Sequence, residues 1–406
     1  MEAGLLEAAP TPAELLARLG IDTDHVATLL VDLQAAMQRR VAEISEQERA
    51  GEPVFPIVDF ADVLAGRVTD NARDAIRNAG CAVLRGTFAR AEAEAWDAEV
   101  AEYVAQNAVR ERFLEKHPGA ADAARIWPVY WSRPQVAARQ HSRMATARRF
   151  LNGLWIFESP TMRWFEPDHD IGYPDRVRRR EPGALSKGLP AHADSPSVGG
   201  WRVAENQAVF APLLTGGIAA YDPFDAAYRT GARIESPVPC TVFRTFQGWT
   251  ALSEMHPDDG VLHVVPIPAA VGYRVVHGLA AELGLLGEPV AAPRRDAADK
   301  MLLAGLVPVP AVEPGDTVWW HGDLYHSVGD AANDSRWGNV MYIGVSPRCP
   351  RNEVYAATML DRFQRGASPV DFAADDLEVD VVGRATIEDL NALGRAQFGL
   401  ESTKRD

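Results

Sequence analysis

The sequence predicts a mostly β core, a sandwich or barrel, that is wrapped by helices from both ends of the chain. From about Trp127 onward, short apolar runs alternate with Gly, Pro and Asp, which is typical of many short strands at regular spacing. Before that point, apolar residues recur at helical spacing. The 406 residues, with 47% hydrophobic and 24% charged side chains, are enough for a sizeable globular core.

The first elements are predicted helices with clear boundaries. In TPAELLARLG (residues 11–20), Thr11 is the expected N-cap, Glu14 completes a capping box and Gly20 ends the helix. Apolar residues at helical spacing then continue over residues 24–51 and predict a longer helix. A helix–strand–helix unit follows at residues 69–80, 81–88 and 90–107.

The rest of the chain is predicted to be rich in short strands. They fall within residues 175–183, 240–253, 261–268, 316–322 and 339–347. The segment HPDDG (residues 256–260) has the chemistry of a turn, so the strands on either side of it form a hairpin. A polar stretch and one amphipathic helix, residues 386–398, close the chain.

Charge and composition exclude several classes of function. The net charge of −15 repels phosphate backbones, so we expect no nucleic-acid partner. No apolar run reaches the length of a membrane span, and the acidic N-terminus is unlike a signal peptide. Three scattered cysteines, Cys81, Cys240 and Cys349, indicate a reducing compartment without a disulfide framework. We therefore expect a cytoplasmic protein without a nucleic-acid or membrane partner.

A His-x-Asp spacing, which puts an imidazole and a carboxylate on one side of a strand, occurs three times. The pairs are His192/Asp194, His256/Asp258 and His321/Asp323. We interpret the second pair as part of a surface loop, because it lies in the HPDDG turn, whose aspartates are typical turn formers. The first pair lies at an expected strand end, in an apolar segment bounded by glycines. It is the best candidate for a metal site at the mouth of a β-barrel.

A non-haem iron site of the facial type needs a second histidine and leaves three coordination positions open. The candidates further along the chain are His263, His277, His321 and His326. The odd separation of His321 and His326 puts them on opposite faces of a regular strand, so only one of them can be a ligand. Arg336 follows His326 by ten residues and could form two parallel hydrogen bonds with a carboxylate.

Several motifs resemble those of the iron(II)- and 2-oxoglutarate-dependent oxygenases. In chain order they are HAD (His192, Asp194), GWTALSEMHPDDGVLHVVPI, PGDTVWWHGDLYHS (His326) and NDSRWGNVMYIG (Arg336). The segments DRVRRREPG, YDPFDAAYRTG, FRTFQGWTALS and WGNVMYI more closely resemble the bacterial and fungal family named domain of unknown function 1479. The resemblance covers roughly residues 55–370.

The resemblance implies a double-stranded β-helix, or jelly roll, at residues 53–350, with helical extensions at residues 1–52 and 351–406 in one structural unit. It implies that iron(II) is held by His192, Asp194 and His326, with 2-oxoglutarate and O2 as co-substrates. The implied activity is hydroxylation of a small polar or anionic metabolite, with succinate and CO2 as co-products. Desaturation and cyclisation remain open alternatives to hydroxylation.

The candidates for binding the co-substrate are arginines. Arg336 is the first, from its offset to His326. The cluster at residues 176–180 is the second, because alternation puts Arg178 and Arg180 on one face of a strand. The alternative is a solvated basic strand. Weaker candidates for substrate binding are Trp201, Arg244 and Gln247.

Two other classes of function stay open from the sequence. One is a jelly-roll protein that binds a small molecule without catalysis. The other is a cupin-type metalloenzyme that does not use 2-oxoglutarate. The terminal helices either pack on the sheet or form the contact of a homodimer.

Overall fold

The structure is a computed structural model of the chain. It describes residues 10–120, 126–184, 188–194, 201–202, 204–230, 242–286, 297–330 and 335–400. Within these residues the fold is mixed α/β, with helices distributed along the whole chain. No helix in this part of the chain is both long and apolar enough to cross a bilayer.

The helices are α1 (Pro12–Leu19), α2 (Thr23–Ala50), α3 (Phe60–Leu64), α4 (Asp70–Ala79), α5 (Arg90–Gln106), α6 (Val109–Lys116), α7 (Arg133–Arg139), α8 (Ser142–Asn152), α9 (Ala204–Gly216), α10 (Ala270–Glu282), α11 (Ala297–Leu303), α12 (Pro350–Arg365) and α13 (Ala392–Gln397). The strands are β1 (Ile57–Asp59), β2 (Cys81–Arg85), β3 (Ile126–Trp127), β4 (Glu166–Asp170), β5 (Val177–Arg178), β6 (Leu189–His192), β7 (Phe246–Ala251), β8 (Leu262–Val264), β9 (Val307–Pro308), β10 (Thr317–His321), β11 (His326–Val328), β12 (Val340–Tyr342) and β13 (Pro347–Arg348).

Two sheets form the centre of the molecule. The larger has seven strands in the order β1-β2-β10-β7-β12-β5-β3, and the smaller has four in the order β6-β11-β8-β9. All neighbours in these sheets are antiparallel except β1 and β2, which are parallel. Strands β4 and β13 form a separate two-stranded ribbon. The smaller sheet has short strands and carries both histidines of the predicted iron site.

One apolar cluster fills the space between the two sheets. Val318 of β10 lies opposite Trp249 of β7, so both side chains point to the same face of the larger sheet. The same cluster contains Leu262 and Val264 of β8 in the smaller sheet. Residues of the smaller sheet and of this face of the larger sheet therefore belong to one buried cluster, to which α2 and α10 also contribute.

Helices cover the opposite face of the larger sheet. Trp319, which alternates with Val318 along β10, belongs to a second buried cluster with Met341 of β12. That cluster also contains Leu151 of α8 and Val100 of α5. Because neighbouring strand residues face opposite sides, Trp319 and Trp320 lie on different faces and belong to different clusters.

The N-terminal predictions are confirmed in detail. Thr11 and Glu14 form the capping box of α1, and Gly20 ends that helix in the left-handed conformation. Gly51 and Gly80 end α2 and α4 in the same way, with φ of +70° and +69°. The capping residues therefore predicted these helix ends correctly, because a cap depends on neighbours in sequence and not on packing.

Strands β5, β7, β8, β10 and β12 lie within the segments predicted to be strands, but the expectation that helices give way to strands after Trp127 is wrong. Helices α7 to α11 all follow that residue. The sequence does not predict helix α10, because eight of its residues between Ala270 and Ala280 are buried. Without a polar face, the apolar residues show no helical spacing. Its N-cap, Ala269, makes no side-chain cap hydrogen bond. The predicted closing helix is also shorter, since a 3₁₀ turn at Ile387–Asp389 precedes α13.

Two of the three cysteines lie in the part of the chain that the structure describes. Cys81 and Cys349 are free and buried. Cys240 lies outside the described residues.

Candidate metal centre

Two histidines face each other at one end of the smaller sheet. Strands β6 and β11 are antiparallel neighbours, and His192 is the register partner of His326. Residues that are directly opposite in such a pair project to the same side of the sheet. The ring centroids of the two imidazoles are accordingly 4.3 Å apart.

Asp194 completes the group two residues after His192. Its carboxylate oxygens lie 3.5 Å from Nε2 of His192 and 3.5 Å from Nε2 of His326. One donor atom from each of the three side chains lies within 4.8 Å of the other two. His326 is buried, His192 is half-buried and Asp194 is exposed, so the group opens to one side.

Backbone carbonyls fix the tautomer of both imidazoles. Nδ1 of His192 lies 2.8 Å from the carbonyl of Pro190, and Nδ1 of His326 lies 3.0 Å from the carbonyl of Leu324. A carbonyl can only accept, so in the neutral imidazole each Nδ1 carries the proton and each Nε2 keeps its lone pair. Both lone pairs are therefore on the nitrogens nearest to Asp194. Histidines that bind metals are commonly oriented in this way by a hydrogen bond at the other ring nitrogen.

The electrostatics around Asp194 favour its charged form. Loss of hydration raises the pKa of this carboxyl, but a hydrogen bond from the protonated form of His326 and the positive charge that either imidazole carries when protonated lower it by more. The pKa of Asp194 therefore lies well below its usual range. Gln247 of β7 also donates a hydrogen bond of 3.2 Å from Nε2 to Oδ2 of Asp194. Two neutral imidazole nitrogens and one carboxylate are a donor set that suits a divalent first-row metal such as iron(II).

His321 lies on the other face of the larger sheet. Its ring stacks on Trp155 with centroids 4.8 Å apart, and its Nε2 donates to the carbonyl of Pro223 at 3.0 Å. Its Nδ1 accepts from the N–H of Asp323 at 2.9 Å. Burial lowers the pKa of His321 to about 4. Both ring nitrogens are occupied, so of the two competing histidines only His326 is placed beside Asp194.

The remaining His-x-Asp pair is part of a turn, as predicted, but one residue of that turn is not a surface residue. His256 bonds Glu254 at 2.8 Å in an exposed position. Asp259, which the sequence suggests is a turn former at the surface, is buried. Its carboxylate accepts the N–H of His256 at 2.8 Å and faces Arg336. Asp259 can be buried because Arg336 supplies the opposite charge, without which a carboxylate in the interior would be costly.

Arg336 is already paired with a carboxylate of the protein. Its Nε lies 2.9 Å from Oδ2 of Asp259, and its Nη2 lies 3.1 Å from Oδ1. This is the two-pronged geometry that the sequence suggests for a bound dicarboxylate. In the structure, however, Asp259 occupies it.

Arg178 and Arg180 lie inside the protein and are not part of a solvated strand. Their side chains are 4% and 0% exposed. Arg178 donates to the carbonyl of Gly260 at 2.9 Å, and Arg180 donates to the carbonyl of Asp259. Among the described residues, Nε of Arg178 and both Nε and Nη1 of Arg180 find no hydrogen-bond partner. Burial lowers the pKa of both guanidinium groups.

The weaker candidates divide. Gln247 contacts Asp194 directly, and Arg244 is close enough to contribute to the lowered pKa of Asp194. Arg244 also lies over the ring of Tyr173, 5.1 Å from its centroid. Trp201 is instead buried in the apolar cluster between the sheets.

Sequence reasoning missed the groups that support the histidines. The carbonyls of Pro190 and Leu324 have no signature in a sequence, because any residue supplies one. It also missed Arg229, whose guanidinium pairs with Asp323 at 3.0 Å. Arg229 lies in YDPFDAAYRTG, a segment that had been singled out only for its resemblance.

Comparison with known proteins places the chain in a family. The Gig2-like family profile matches residues 13–400. The uncharacterized protein YbiU of Escherichia coli (strain K12) is 43% identical over 379 residues, which cover 89% of each chain. A solved structure from Salmonella typhimurium LT2 is 39% identical with a TM-score of 0.84, and the match covers 96% of this chain and 95% of that one. That protein is assigned only provisionally to the oxidoreductases.

A more distant relative shows the same fold. The structure of GlcNAc Inducible Gene 2 from Candida albicans, which is described as domain of unknown function 1479, is 24% identical with a TM-score of 0.77. The match covers 98% of this chain and 92% of that one. Because the family profile spans nearly the whole sequence and the bacterial relative covers most of it, the chain belongs to the Gig2-like family.

Proposed function

We propose that this protein is an iron(II)- and 2-oxoglutarate-dependent oxygenase. The observation that carries the proposal is the group of His192, Asp194 and His326, with both imidazole tautomers set by backbone carbonyls. Two histidines and one carboxylate are the ligand set of non-haem iron(II) oxygenases, which leaves positions for a chelating co-substrate and O2. His192, Asp194 and His326 would hold the iron.

The strand arrangement supports a jelly roll as the scaffold of this site. Strands β10, β7, β12 and β5 form one antiparallel ladder, and β6, β11, β8 and β9 form the other. An apolar cluster lies between them. Eight antiparallel strands in two facing sheets are the architecture of a double-stranded β-helix. In such a barrel the metal ligands lie at the open end.

The buried arginines support an anionic co-substrate. Two guanidinium groups without a carboxylate of their own are costly in the interior unless a ligand supplies the negative charge. Among the residues that the structure describes, Arg178 and Arg180 are in this position, whereas Arg336 is neutralised by Asp259. We therefore assign the distal carboxylate of 2-oxoglutarate to Arg178 and Arg180. In this assignment Arg336 acts indirectly, because it holds Asp259, whose carbonyl accepts from Arg180.

The register of the larger sheet is compatible with this assignment. Arg178 lies opposite Val340, which lies opposite Ala251 of β7. Gln247, which contacts Asp194, lies four residues earlier on β7. At about 3.3 Å per residue the arginine position is roughly 13 Å along the strands from Gln247. An extended arginine side chain together with a five-carbon dicarboxylate can cover that span.

With iron(II) and 2-oxoglutarate bound, the centre supplies oxidative decarboxylation of the keto acid by O2, which yields succinate and CO2 and hydroxylates a substrate. The chain's own residues bind and orient. Gln247 holds the Asp194 carboxylate by a hydrogen bond, and the buried wall of Trp320, whose ring lies 5.6 Å from that of His326, excludes water on one side. The positive charge of Arg244, which acts on Asp194, favours a small polar or anionic metabolite as the substrate class.

The experiment that tests this proposal measures succinate from 2-oxoglutarate in the purified protein with iron(II) and O2, alone and with panels of small acidic metabolites. We expect succinate to form only when iron(II), 2-oxoglutarate and O2 are all present, and to disappear in His192→Ala and Asp194→Ala. Succinate that persists in either variant contradicts the proposal. Tight metal binding without any use of 2-oxoglutarate would favour a cupin-type metalloenzyme, and ligand binding without metal would favour a binding protein.

A further inference from the structure

We infer that Asp323, held by the buried Arg229, is a positioning residue for His326. The pair fixes the turn whose Leu324 carbonyl sets the tautomer of that histidine. This inference rests on the proposed metal site. It gives a role to the third His-x-Asp pattern of the sequence, which does not contribute a metal ligand.

The ion pair is buried, and a tyrosine hydroxyl also contacts it. Nη2 of Arg229 lies 3.0 Å from Oδ2 of Asp323, and Nη1 lies 3.4 Å from Oδ1. Nη2 also lies 3.0 Å from the hydroxyl of Tyr221. The side chains of Arg229 and Asp323 are 7% and 1% exposed. Charges that are this well buried hold their geometry tightly, because breaking the pair leaves an uncompensated charge in the interior.

Asp323 lies in the tight turn between β10 and β11. The N–H of Leu324 bonds the carbonyl of His321 at 3.0 Å, which closes the turn. The N–H of Asp323 bonds Nδ1 of His321 at 2.9 Å. The side chain of Leu324 is fully buried, so the turn is held on both sides. His326 begins β11 two residues later.

The turn acts on the metal site through one hydrogen bond. The carbonyl of Leu324 accepts from Nδ1 of His326 at 3.0 Å. If this carbonyl rotates away, His326 can take the other tautomer, which puts a proton on Nε2 and removes the lone pair that faces Asp194. Asp323 is directly bonded to Leu324 in the chain. Its ion pair therefore restrains the turn that ends in the Leu324 carbonyl. The tautomer of His326, and so its donor atom, depends on that carbonyl.

The other side of the ion pair is equally restrained. The segment from Tyr221 to Arg229 is tied to α4 by the ion pair of Arg77 with Asp222 at 2.5 Å. Phe224 in this segment is buried, with its ring 4.8 Å from that of His321. These contacts hold the segment that carries Arg229 in place.

A second buried ion pair provides a matched control. Arg148 and Asp170 lie 3.1 Å apart, with side chains 1% and 9% exposed. They connect α8 with β4, and neither sequence neighbour of Asp170 contacts His192, Asp194 or His326 through any hydrogen bond among the described residues. Changes in either pair should lower the stability of the folded protein. A loss of metal affinity should follow only from changes at Arg229 and Asp323.

The experiment measures the affinity of the metal-free protein for cobalt(II) by its visible absorption, at a temperature where every variant is folded by circular dichroism. The variants are Asp323→Asn and the milder Arg229→Lys, which keeps the charge but loses the planar fork. The controls are Asp170→Asn and Arg148→Lys. We expect Asp323→Asn to weaken cobalt(II) binding by about 10–100-fold, the range that is typical when a group orienting a metal ligand is removed.

The outcomes separate this inference from the proposed function. Arg229→Lys should weaken binding less than Asp323→Asn, and both controls should leave the affinity unchanged. Wild-type affinity in Asp323→Asn and Arg229→Lys would overturn the inference while leaving the metal site in place. Equal losses in the control pair would also overturn it, because they would reveal a general effect of destabilisation. Absence of cobalt(II) binding by the wild-type protein would instead contradict the proposed function.

Discussion

Two segments of this chain have the same His-x-Asp spacing, and the fold uses them in opposite ways. At the end of β6, His192 and Asp194 keep an unprotonated nitrogen and a carboxylate on a partly open surface, beside a third donor from β11. At the end of β10, His321 and Asp323 are buried, and each has its hydrogen-bonding groups occupied by Pro223, by its neighbour or by Arg229.

The difference lies in what the neighbouring elements offer. A His-x-Asp pair becomes a candidate metal centre when an adjacent strand brings a third ligand and no arginine of the described residues forms an ion pair with the carboxylate. It becomes a structural turn when a buried arginine pairs with the aspartate and an aromatic ring stacks on the imidazole. Spacing alone does not distinguish the two, because both pairs have it.

The largest expected effect separates the two patterns by metal affinity. We expect His326→Ala to lower the affinity for iron(II) by more than about 100-fold, beyond the usual effect of changing a group that only orients a ligand. His321→Ala should weaken binding far less, because His321 only supports the turn before His326, and it should lose stability, because it removes a buried stacked ring. Anaerobic equilibrium dialysis with iron(II) measures both. A reversed order of effects would mean that the two histidines have been assigned to the wrong roles.

The second effect tests the burial of His321 through pH. Its pKa is lowered to about 4 in the folded protein, so it stays neutral there while the unfolded chain takes up a proton below about 6.5. Stability from this group is therefore complete above pH 6.5 and is lost as the pH falls toward 4. Between pH 7.5 and 4.5 we expect wild type to lose about 2–3 kcal/mol more than His321→Phe.

Urea unfolding at the two pH values measures this difference. Comparing the two proteins cancels the titration of groups that they share, including Asp170 and Glu378, whose pKa values burial raises to about 7. Identical pH dependence in wild type and His321→Phe would show that His321 titrates normally.

The third effect applies the same distinction to the arginines. Arg178 is buried without a carboxylate partner among the described residues, whereas Arg336 is paired with Asp259. Hydrogen bonds to charged groups contribute about 1.5–3 kcal/mol, so Arg178→Met should weaken 2-oxoglutarate binding by roughly 10–150-fold. Arg336→Met should weaken it much less. Calorimetric titration of the zinc-loaded protein with 2-oxoglutarate decides between them, and a larger loss in Arg336→Met would restore Arg336 as the anchor.

The smallest expected effect concerns Gln247, which donates to Asp194 at 3.2 Å. A hydrogen bond to a charged group contributes about 1.5–3 kcal/mol, but this one is long and reaches an exposed carboxylate, so Gln247→Leu should weaken iron(II) binding by only about 2–10-fold. Equilibrium dialysis against iron(II) detects this change. An effect as large as that of His326→Ala would make Gln247 part of the ligand set and not a support for it.

The sequence predicted the candidate site better than it predicted the overall secondary structure. The spacing of His192 and Asp194, with His326 further along, anticipated a group that the fold brings within 4.8 Å. Ligand residue types are visible in a sequence because few side chains can serve. Helices α9 and α10 are not visible in the same way, because they are apolar on most sides and lack a polar period.

The partners of charged side chains were the least predictable feature. Asp259 looked like a turn former, and Arg336 looked like an anchor for a ligand. The structure joins them in an ion pair across 77 positions of the chain. No local pattern reveals such a pairing, because it depends on how β8, β12 and the loops beside them pack. Capping boxes and terminal glycines, by contrast, act within one turn of helix and were predicted correctly.

The most direct test of the central claim is an anaerobic titration of the metal-free protein with iron(II) and then 2-oxoglutarate, followed by visible absorption. The account predicts a charge-transfer band of the iron–keto acid chelate in wild type and in His321→Ala, and no band in His326→Ala. A folded wild-type protein that shows no band after both additions would contradict the claim that His192, Asp194 and His326 form the iron site of a 2-oxoglutarate oxygenase.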